Sequence, residues 1–590
     1  MCGIFGYIGK KHNATESVLS GLKRLEYRGY DSWGIGVRHN GLILVDKHVG
    51  KISEAQVKLP SSSMAIGHTR WATHGAVNDT NAHPHFSSNN SFILAHNGIV
   101  ENYQELKDRL FKKNFSFKTE TDTEVIVRLI EAKLKKTSRL QDAIRQAFSE
   151  FEGRNTIIVL SKDGKIITAR NGSPLVIGIN QDLSEIYLSS DTLSFAPFVK
   201  KIIVLDNNQM AVVKSQKIKL VDIKTDKNIP YILEEIDIKD SKVDKEGYKH
   251  FMIKEIHEAS FAISRVIKQD PKNYLKFANS IKKAKNIYTI GSGTAGASAA
   301  QIAFYLRKFG KINVISLIGA EAKEYCDLFG KDDLIIAPSQ SGETADVLEI
   351  LEIAKKRGVK IASFVNMPGS MITRMSHFKF MSQAGPEICV MSTKIFVSHL
   401  AWGYLIAKAV QGRLEEGLKN LIRLSTIIKK YLKNKSNHRK IKKLARKLAR
   451  AHDIFLLSKS QNLQIIKEGM IKIIEGSYIH AHALSAGDLK HYAITLMEKG
   501  VPVIFVLSND LVKIDIINAI NEVKARGAEV IGVSSDNHKN FDFHIKIPDT
   551  GETSAIINII PLQLLAYYMA DELKNNVDKP RNIAKSVTVK

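Results

Sequence analysis

Hydrophobic and polar positions alternate with a period of two over much of the first 235 residues, which predicts a mostly β segment. Two stretches with helical spacing interrupt it, at about 16–25 and at 122–135. Thr121, followed three residues later by Glu124, predicts an N-terminal cap for the second of these helices. The alternating runs are separated by Gly, Asn and Asp turns and lie at 41–48, 91–95, 156–160, 165–169, 186–188, 202–205 and 210–213.

Beyond a charged segment at 236–255 the pattern changes to short apolar strands alternating with amphipathic helices. We interpret that segment as a linker that leads into a helix near His250. Strand–helix alternation predicts a parallel sheet covered on both faces, and its recurrence predicts two sister α/β subdomains. The expected strands lie at 286–290, 313–317, 333–337 and 360–365, and again at 453–457, 501–507, 529–533 and 543–547.

The chain of 590 residues is too long for one hydrophobic core, which stops growing at roughly 250–300 residues. We expect a β-rich domain at 1–235, a linker at 236–255, α/β subdomains at 256–425 and 426–572, and a tail at 573–590. No run approaches the roughly 20 apolar residues of a membrane helix, and the start lacks the pattern of a secretory signal. Three cysteines are too few for a disulfide framework. These features favour a cytoplasmic enzyme.

The net charge of +26 favours anionic ligands and nonspecific contact with nucleic acid. Eleven Lys and Arg residues, with no acid among them, lie between Lys429 and Arg450. Tyr431 is the only aromatic residue in this basic stretch, so the stretch offers no platform on which bases could stack. We interpret it as a solvated helix face and expect no specific nucleic-acid partner.

Cys2 is the first candidate for chemistry. Removal of Met1 would leave a cysteine with both a thiol and a free α-amine, whose usual pKa is about 7.7–8.0. Such an amine is partly neutral near pH 7.5 and can accept the thiol proton, which makes Cys2 a candidate nucleophile that carries its own base.

Four motifs follow Cys2 along the first domain, at Gly67–Gly75, Asn81–His85, His96–Ile99 and Thr121–Glu124. Together with Cys2 they resemble the class II glutamine amidotransferases. The resemblance implies an αββα sandwich of the N-terminal-nucleophile type.

The resemblance also assigns roles. The Cys2 thiolate would attack the side-chain amide of L-glutamine, and Asn97 with the Gly98 backbone N–H would form the oxyanion hole. Arg70 would bind the substrate carboxylate and Asp122 its ammonium group. The other glutamine-binding positions are Trp71, Thr73 and His74. For His83 and His85 a structural and a functional role stay equally open.

In the second half, a glycine-rich turn at Gly291–Gly296 lies between a predicted strand and a helix, which is an anion site by geometry. As a dinucleotide fingerprint it is weak, because no acid ends the next strand. A second loop, Ser339–Asp346, carries hydroxyls and backbone N–H groups that suit a phosphate. This loop resembles the phosphosugar site of sugar isomerase (SIS) domains.

The C-terminal segment Pro580–Val589 also matches, so the resemblance extends over the whole chain. The enzymes that the chain resembles have two parts, a glutaminase domain and two doubly wound SIS domains. The resemblance implies glutamine-dependent amination and isomerisation of fructose 6-phosphate to glucosamine 6-phosphate, with ammonia channelled between domains, at the start of amino-sugar synthesis. It implies no cofactor and no metal. It further implies a homodimer in which His491, the residue that opens the sugar ring, serves the neighbouring subunit.

In this resemblance Lys585 forms a Schiff base with the keto sugar. A free lysine is almost fully protonated at pH 7, so the site must depress its pKa, by burial or through a cation such as Lys472. The resemblance implies that Glu475 moves the proton between C1 and C2 of the sugar. Glu468, Lys472 and Glu475 share one helix face by their spacing. The positions implied for the phosphate and the sugar hydroxyls are Ser292, Thr294, Ser339, Gln340, Ser341, Thr344 and Ser392.

Some residues depart from the family pattern. Ala295 stands where the family has Ser, and Tyr492-Ala493 where it has Gly-Pro. The sequence leaves three alternatives to compare: an enzyme of the same design acting on another ketose phosphate, a phosphoribosyl amidotransferase, and a sugar-phosphate-sensing regulator that binds nucleic acid through its basic stretch. The second would need an acidic pyrophosphate-binding strand, which the sequence lacks. The third conflicts with the joint presence of Cys2, Glu475 and Lys585.

Overall fold

The computed structural model describes residues 2–235 and 244–588, so part of the segment predicted as a linker, 236–243, lies outside the described residues. The described chain forms two compact units. The first unit comprises 2–235 with the short segments 343–345 and 584–588, and the second comprises 244–342 with 346–583.

The first unit contains two sheets. The first sheet has eight strands in the order β15-β11-β9-β10-β1-β4-β2-β3 and the second has seven in the order β14-β13-β12-β8-β7-β6-β5. The pairings within both sheets are antiparallel. The strands are β1 (Gly3–Gly9), β2 (Ser32–His39), β3 (Leu42–Val49), β4 (Met64–Arg70), β5 (His85–Phe86), β6 (Phe92–Gly98), β7 (Asn155–Ser161), β8 (Ile166–Asn171), β9 (Val176–Ile179), β10 (Glu185–Ser189), β11 (Lys201–Val204), β12 (Gln209–Lys214), β13 (Lys217–Asp222), β14 (Asn228–Ile229) and β15 (Glu234–Glu235).

Four helices cover the outer faces of these sheets. Apolar side chains from both sheets, such as Ile66 and Ile158, fill the space between them. The helix on the first sheet buries Val18 and Leu22, and the three on the second bury residues such as Ile130. The four layers confirm the αββα sandwich. The helices are α1 (Ala14–Leu25), α2 (Tyr103–Phe111), α3 (Asp122–Leu134) and α4 (Leu140–Phe148).

The second unit contains two parallel sheets of five strands, with the orders β17-β16-β18-β19-β20 and β22-β21-β23-β24-β25. In each sheet the second strand along the chain lies on one side of the first strand, and the later strands lie on its other side, as in doubly wound folds. Ligands of such folds bind at the carboxyl ends of the strands, where the strand order reverses. The strands are β16 (Ile287–Gly291), β17 (Ile315–Ile318), β18 (Leu334–Ser339), β19 (Lys360–Val365), β20 (Phe378–Met381), β21 (Asp453–Ser458), β22 (His480–Ser485), β23 (Pro502–Val506), β24 (Glu529–Ser534) and β25 (Phe543–Lys546).

Helices pack on both faces of each parallel sheet. One continuous apolar core joins Ile336 of the first sheet and Ile504 of the second through the helices between them, and each outer face has its own smaller core. The doubly wound architecture is therefore confirmed. The helices are α5 (Phe251–His257), α6 (Ala259–Ile267), α7 (Pro271–Lys283), α8 (Gly293–Lys308), α9 (Ala345–Lys356), α10 (Met371–Met375), α11 (Lys394–Val410), α12 (Leu414–Lys433), α13 (Lys435–Leu448), α14 (Leu463–Ser477), α15 (Lys513–Lys524) and α16 (Ser554–Glu572).

Some expectations about elements were wrong. The first unit has four helices where the pattern predicted two, because α2 and α4 are only nine residues each and give a short periodic signal. The stretch Gly551–Glu572 is also longer and more apolar than expected, with a mean hydropathy of 1.3 over its most apolar window. That helical stretch is long enough to cross a membrane, but 94% of the window is buried in the protein core.

Candidate functional site

Cys2 immediately precedes strand β1 and lies partly buried against the loop after β4. Its thiol sulfur accepts the Trp71 backbone N–H at 3.3 Å, and its S–H lies 3.5 Å from the Trp71 carbonyl oxygen. Burial raises the pKa of the Cys2 thiol, while the Trp71 hydrogen bond and the Arg70 charge act in the opposite direction. A nucleophile held mainly as the thiol requires a nearby base before it can attack.

Asn97 and Gly98 end strand β6 beside Cys2. The Asn97 side-chain Nδ2 donates to the Cys2 carbonyl oxygen at 3.2 Å. Gly98 has φ +138°, and a Cβ there would lie 2.2 Å from the Arg154 carbonyl oxygen, so this position requires glycine. The backbone N–H and the amide needed for an oxyanion hole are thus held at the end of one strand.

Arg70 ends strand β4, and the loop that follows wraps around its guanidinium. The guanidinium donates to the carbonyl oxygens of His74 at 2.5 Å, Gly75 at 3.2 Å and Ala76 at 3.3 Å. Asp122 is the first residue of α3, where its carboxylate accepts the Val100 backbone N–H at 3.0 Å. A cation and an anion therefore face the same region of the first unit, as an amino-acid substrate requires.

A single pocket brings most of the predicted glutamine site together. Asn97 lies next to this pocket, because it precedes the lining residue Gly98. The predicted N-terminal cap of α3 is confirmed, since the Thr121 hydroxyl accepts the Glu124 backbone N–H at 3.3 Å. Four of the lining residues, His83, His96, Thr121 and Thr123, were not assigned to the site from the sequence. The pocket is lined by Cys2, Arg70, Trp71, Thr73, His74, His83, His96, Gly98, Thr121, Asp122 and Thr123.

The two candidate phosphosugar loops, Gly291–Gly296 and Ser339–Asp346, follow β16 and β18. They lie at the carboxyl ends of these strands, where the strand order of the first parallel sheet reverses. Ser292 is the N-terminal cap residue of α8, and Gly293 takes φ +55°. A Cβ at Gly291 would lie 2.4 Å from the Ala295 carbonyl oxygen, so this close turn excludes any side chain. The geometry matches a helix N-terminus that receives an anion.

The second phosphosugar loop is braced by its own hydrogen bonds. Ser339 Oγ accepts the Gly342 backbone N–H at 2.9 Å, and Gly342 has φ +68°. The Gln340 carbonyl oxygen accepts the Asn366 backbone N–H at 3.2 Å. Ser392, in the loop after β20, donates to Glu387 at 2.8 Å. The predicted hydroxyls therefore lie on three loops that follow β16, β18 and β20.

Helix α14 carries Glu468, Lys472 and Glu475 in a row on one face, which is fully buried at Glu468 and Lys472 and partly buried at Glu475. The Lys472 ammonium lies 2.5 Å from the Glu475 carboxylate and 3.5 Å from that of Glu468. Burial raises the pKa of Glu468 to about 8. Burial alone would lower the pKa of Lys472, but the two carboxylates outweigh it and raise that pKa. Because Glu468 and Lys472 are fully buried, the row is not a solvated stripe of surface ion pairs.

The tail that carries Lys585 is attached to the start of α9. The Ala345 backbone N–H donates to the Val587 carbonyl oxygen at 2.9 Å, and both residues belong to the first unit. Ala345 directly follows Thr344, the last residue of the second phosphosugar loop predicted to bind. His491 lies elsewhere, exposed in a short 3₁₀ turn, Leu489–His491, of the second unit.

Comparison with known proteins first defines a class. A glutamine amidotransferase domain family matches residues 68–196, and the SIS domain family matches 280–409 and 447–571. The C-terminal domain of glucosamine-fructose-6-phosphate aminotransferase from Francisella tularensis has a similar structure, with TM-score 0.51 and 28% identity over 57% of this chain and 99% of that one. The protein is therefore a glutamine amidotransferase joined to a pair of SIS domains.

Full-length relatives define the family more narrowly. The glutamine–fructose-6-phosphate aminotransferase (isomerizing) of Pyrococcus horikoshii is 39% identical, and that of Thermococcus kodakarensis is 37% identical, each over 100% of both chains. The chain belongs to the family of isomerizing glutamine–fructose-6-phosphate aminotransferases.

Proposed function

We infer that the protein converts L-glutamine and fructose 6-phosphate to L-glutamate and glucosamine 6-phosphate. This conclusion rests on the 39% identity over the full length to the isomerizing glutamine–fructose-6-phosphate aminotransferase of Pyrococcus horikoshii. The Cys2 pocket and the buried row on α14 support it, because the reaction needs both a thiol nucleophile and a group that moves protons.

In the first unit, the Cys2 thiolate attacks the side-chain carbonyl carbon of glutamine. Asn97 and the Gly98 N–H stabilise the oxygen that becomes negative, and loss of ammonia leaves a thioester that water hydrolyses to glutamate. Removal of Met1 gives Cys2 the free amine that accepts its proton. Arg70 and Asp122 bind the two charged groups of the substrate, and Trp71, Thr73 and His74 close the pocket.

In the second reaction, the Lys585 amine forms an imine with C2 of the open-chain keto sugar and releases water. Ammonia then replaces Lys585 at C2. Glu475 takes a proton from C1 and returns one to C2, which turns the ketose imine into the amino aldose without any redox change. Lys472 lies 2.5 Å from Glu475 and holds that carboxylate in place.

The sugar phosphate binds at the carboxyl ends of the first parallel sheet. The hydroxyls, amide and backbone N–H groups that hold it belong to Ser292, Thr294, Ser339, Gln340, Ser341, Thr344 and Ser392. Helix α8 adds the positive end of its dipole to this anion site.

We further propose a cytoplasmic homodimer in which His491 opens the sugar ring in the neighbouring subunit. The exposure of His491 on its own chain supports this role. We expect no specific nucleic-acid or membrane partner.

The proposal is tested by product analysis. The full-length protein is incubated with glutamine labelled with ¹⁵N in its side-chain amide and with fructose 6-phosphate, and the sugar product is identified by mass spectrometry. We expect glucosamine 6-phosphate that carries the label. Labelled ammonia without an amino sugar would contradict the assigned acceptor but keep the glutaminase. Parallel incubations with other ketose phosphates test the alternative substrate class.

A further inference from the structure

His68 lies on strand β4, two residues before Arg70, and is completely buried. Its Nε2 atom lies 3.0 Å from the His96 carbonyl oxygen and 3.2 Å from the Asn97 side-chain oxygen Oδ1. A carbonyl oxygen can only accept a hydrogen bond, so the His68 Nε2 atom carries a hydrogen. The contact with Asn97 is therefore a donation from His68.

The protonation of His68 follows from its surroundings. Burial lowers the pKa of His68 to about 3, and the nearby charge of Arg70 acts in the same direction. The ring is therefore neutral under physiological conditions, with its one hydrogen on Nε2. The Nδ1 atom of His83 lies 3.3 Å from His68 Nε2, where it can only accept from that hydrogen. The tautomer with its hydrogen on Nε2 is compatible with all three neighbours, which share that single hydrogen.

The orientation of the Asn97 amide depends on this donor. With Oδ1 held by His68, the opposite end of the amide, Nδ2, faces Cys2 and donates to the Cys2 carbonyl oxygen at 3.2 Å. A flipped amide would bring two N–H donors together, which is unfavourable in a buried site. His68 thus determines which end of Asn97 faces the nucleophile.

We propose that His68 is a positioning residue for glutamine hydrolysis, which fixes the Asn97 amide so that its N–H points at the developing negative charge. This role rests on the proposed glutaminase function. Loss of a donor from an oxyanion hole typically costs about 10²–10³ in kcat. Because the Asn97 amide keeps part of its population in the correct orientation, we expect a smaller loss of about tenfold to a hundredfold.

The test compares His68→Leu with His68→Gln in the full-length protein. Leucine removes the donor, whereas the glutamine side chain can place an N–H close to the position of His68 Nε2. We expect the leucine variant to lower kcat for glutamine hydrolysis about tenfold or more with KM changed less than threefold. The glutamine variant should recover most of that loss, because the defect lies in the transition state and not in substrate binding.

His85→Leu is the matched control. His85 is a buried histidine of the same region, and its Nε2 atom contacts Thr121 Oγ1 at 3.1 Å instead of Asn97. We expect it to lower the unfolding temperature as His68→Leu does while it keeps kcat within threefold. Equal kcat losses in the two leucine variants, or a glutamine variant as impaired as the leucine one, would overturn the positioning role. If the wild-type protein itself fails to hydrolyse glutamine, the proposed function fails together with this inference.

Discussion

The Thr294 hydroxyl donates to the Glu468 carboxylate at 3.1 Å, although the two residues are 174 positions apart. Thr294 belongs to the first phosphosugar loop, and Glu468 begins the buried row on α14. This hydrogen bond joins the two α/β subdomains within the second unit. It connects the loop that we propose to hold the sugar phosphate with the helix that we propose to move its protons.

Glu468 gives the second unit a pH-dependent stability. Its pKa, raised by burial to about 8, lies above the ordinary value of 4.5. The stabilisation from the protonated carboxyl is therefore complete below about pH 4.5 and is lost as the pH rises through 8. We expect the unfolding temperature of the second unit to fall between pH 6 and pH 9, and Glu468→Gln to flatten this fall. Glu415→Gln, at an exposed position on α12, is the control and should leave the profile unchanged.

Cys2→Ala should abolish glutamine hydrolysis, because Cys2 is the cysteine in the pocket that we propose to bind glutamine. Binding of fructose 6-phosphate to the second unit should persist, and calorimetry would measure it. Cys326→Ala removes a buried cysteine of the second unit and should leave hydrolysis intact. Hydrolysis at the wild-type rate in Cys2→Ala would show that another group is the nucleophile. Intact mass should also show loss of Met1, since an active protein that retained it would lack the proposed amine base.

The sequence pattern predicted the parallel strands better than the antiparallel ones, for a physical reason. Strand β19 has the predicted bounds, Lys360–Val365, whereas the central strands β1 and β4 were missed. Every residue of β1 and β4 is buried, because the first sheet is covered by α1 on one face and by the second sheet on the other. A strand buried on both faces shows no alternation and is marked only by a continuous apolar run, which glycines interrupt in β1 and polar residues interrupt in β4.

The sister subdomains show a second limit of the sequence pattern. Gly293 and Ser460 are each the second residue after the first strand of their sheet, and they take φ +55° and +58°. The serine adopts the left-handed conformation that glycine reveals in the sequence of the first subdomain. The two turns therefore have the same backbone shape at this position, although only the first has glycine there.

The candidate site was predictable in its members but not in its supports. Cys2, Arg70 and Gly98 were predicted as site residues from sequence motifs, and they line one pocket. His68 lies within the motif Gly67–Gly75, but the sequence assigned it no role, because its importance depends on a contact with Asn97 in the opposite sheet of the sandwich. Such contacts follow from the way the two sheets pack face to face, which residue spacing does not give.

Lys585→Arg should abolish amination, since arginine keeps the positive charge but forms no imine with a keto sugar. Glutamine hydrolysis should persist, because the change leaves the Cys2 pocket intact. Borohydride added with fructose 6-phosphate should trap a sugar adduct, and peptide mapping should place it on Lys585 of the wild-type protein. Lys579→Arg, in the same tail, is the control and should still be trapped. An adduct on another lysine would reassign the imine.

The buried histidines of the first unit should make it sensitive to acid. Burial lowers the pKa values of His83 and His85 well below 6.5, and that of His68 to about 3. Each neutral ring therefore contributes full stability above about pH 6.5, and that stability is lost as the pH falls through the lowered pKa. We expect the free energy of unfolding of the first unit to fall from pH 7 to pH 5. His85→Gln should make the fall less steep, whereas an unchanged slope would contradict this origin.

Ala295, which stands where the family has serine, is the departure from the family pattern that should change the affinity for the sugar. It lies in the first turn of α8, next to Thr294, where a serine would offer a hydroxyl to the bound sugar. One such hydrogen bond is worth about 0.5–1.5 kcal/mol, or roughly a twofold to tenfold difference in affinity. We expect Ala295→Ser to lower the KM for fructose 6-phosphate by that factor with little change in kcat, as steady-state kinetics would measure.

The matched control is Ala300→Ser, which makes the same substitution about one and a half turns further along α8 and should leave KM unchanged. Since one hydrogen bond changes affinity and not the reaction, fructose 6-phosphate should stay the preferred acceptor in both variants. A rival ketose phosphate with a tenfold higher kcat/KM in the wild-type protein would contradict the named acceptor. It would leave the proposed chemistry of Cys2 and Lys585 in place, because Cys2 acts on glutamine and Lys585 reacts only with the carbonyl group of the sugar.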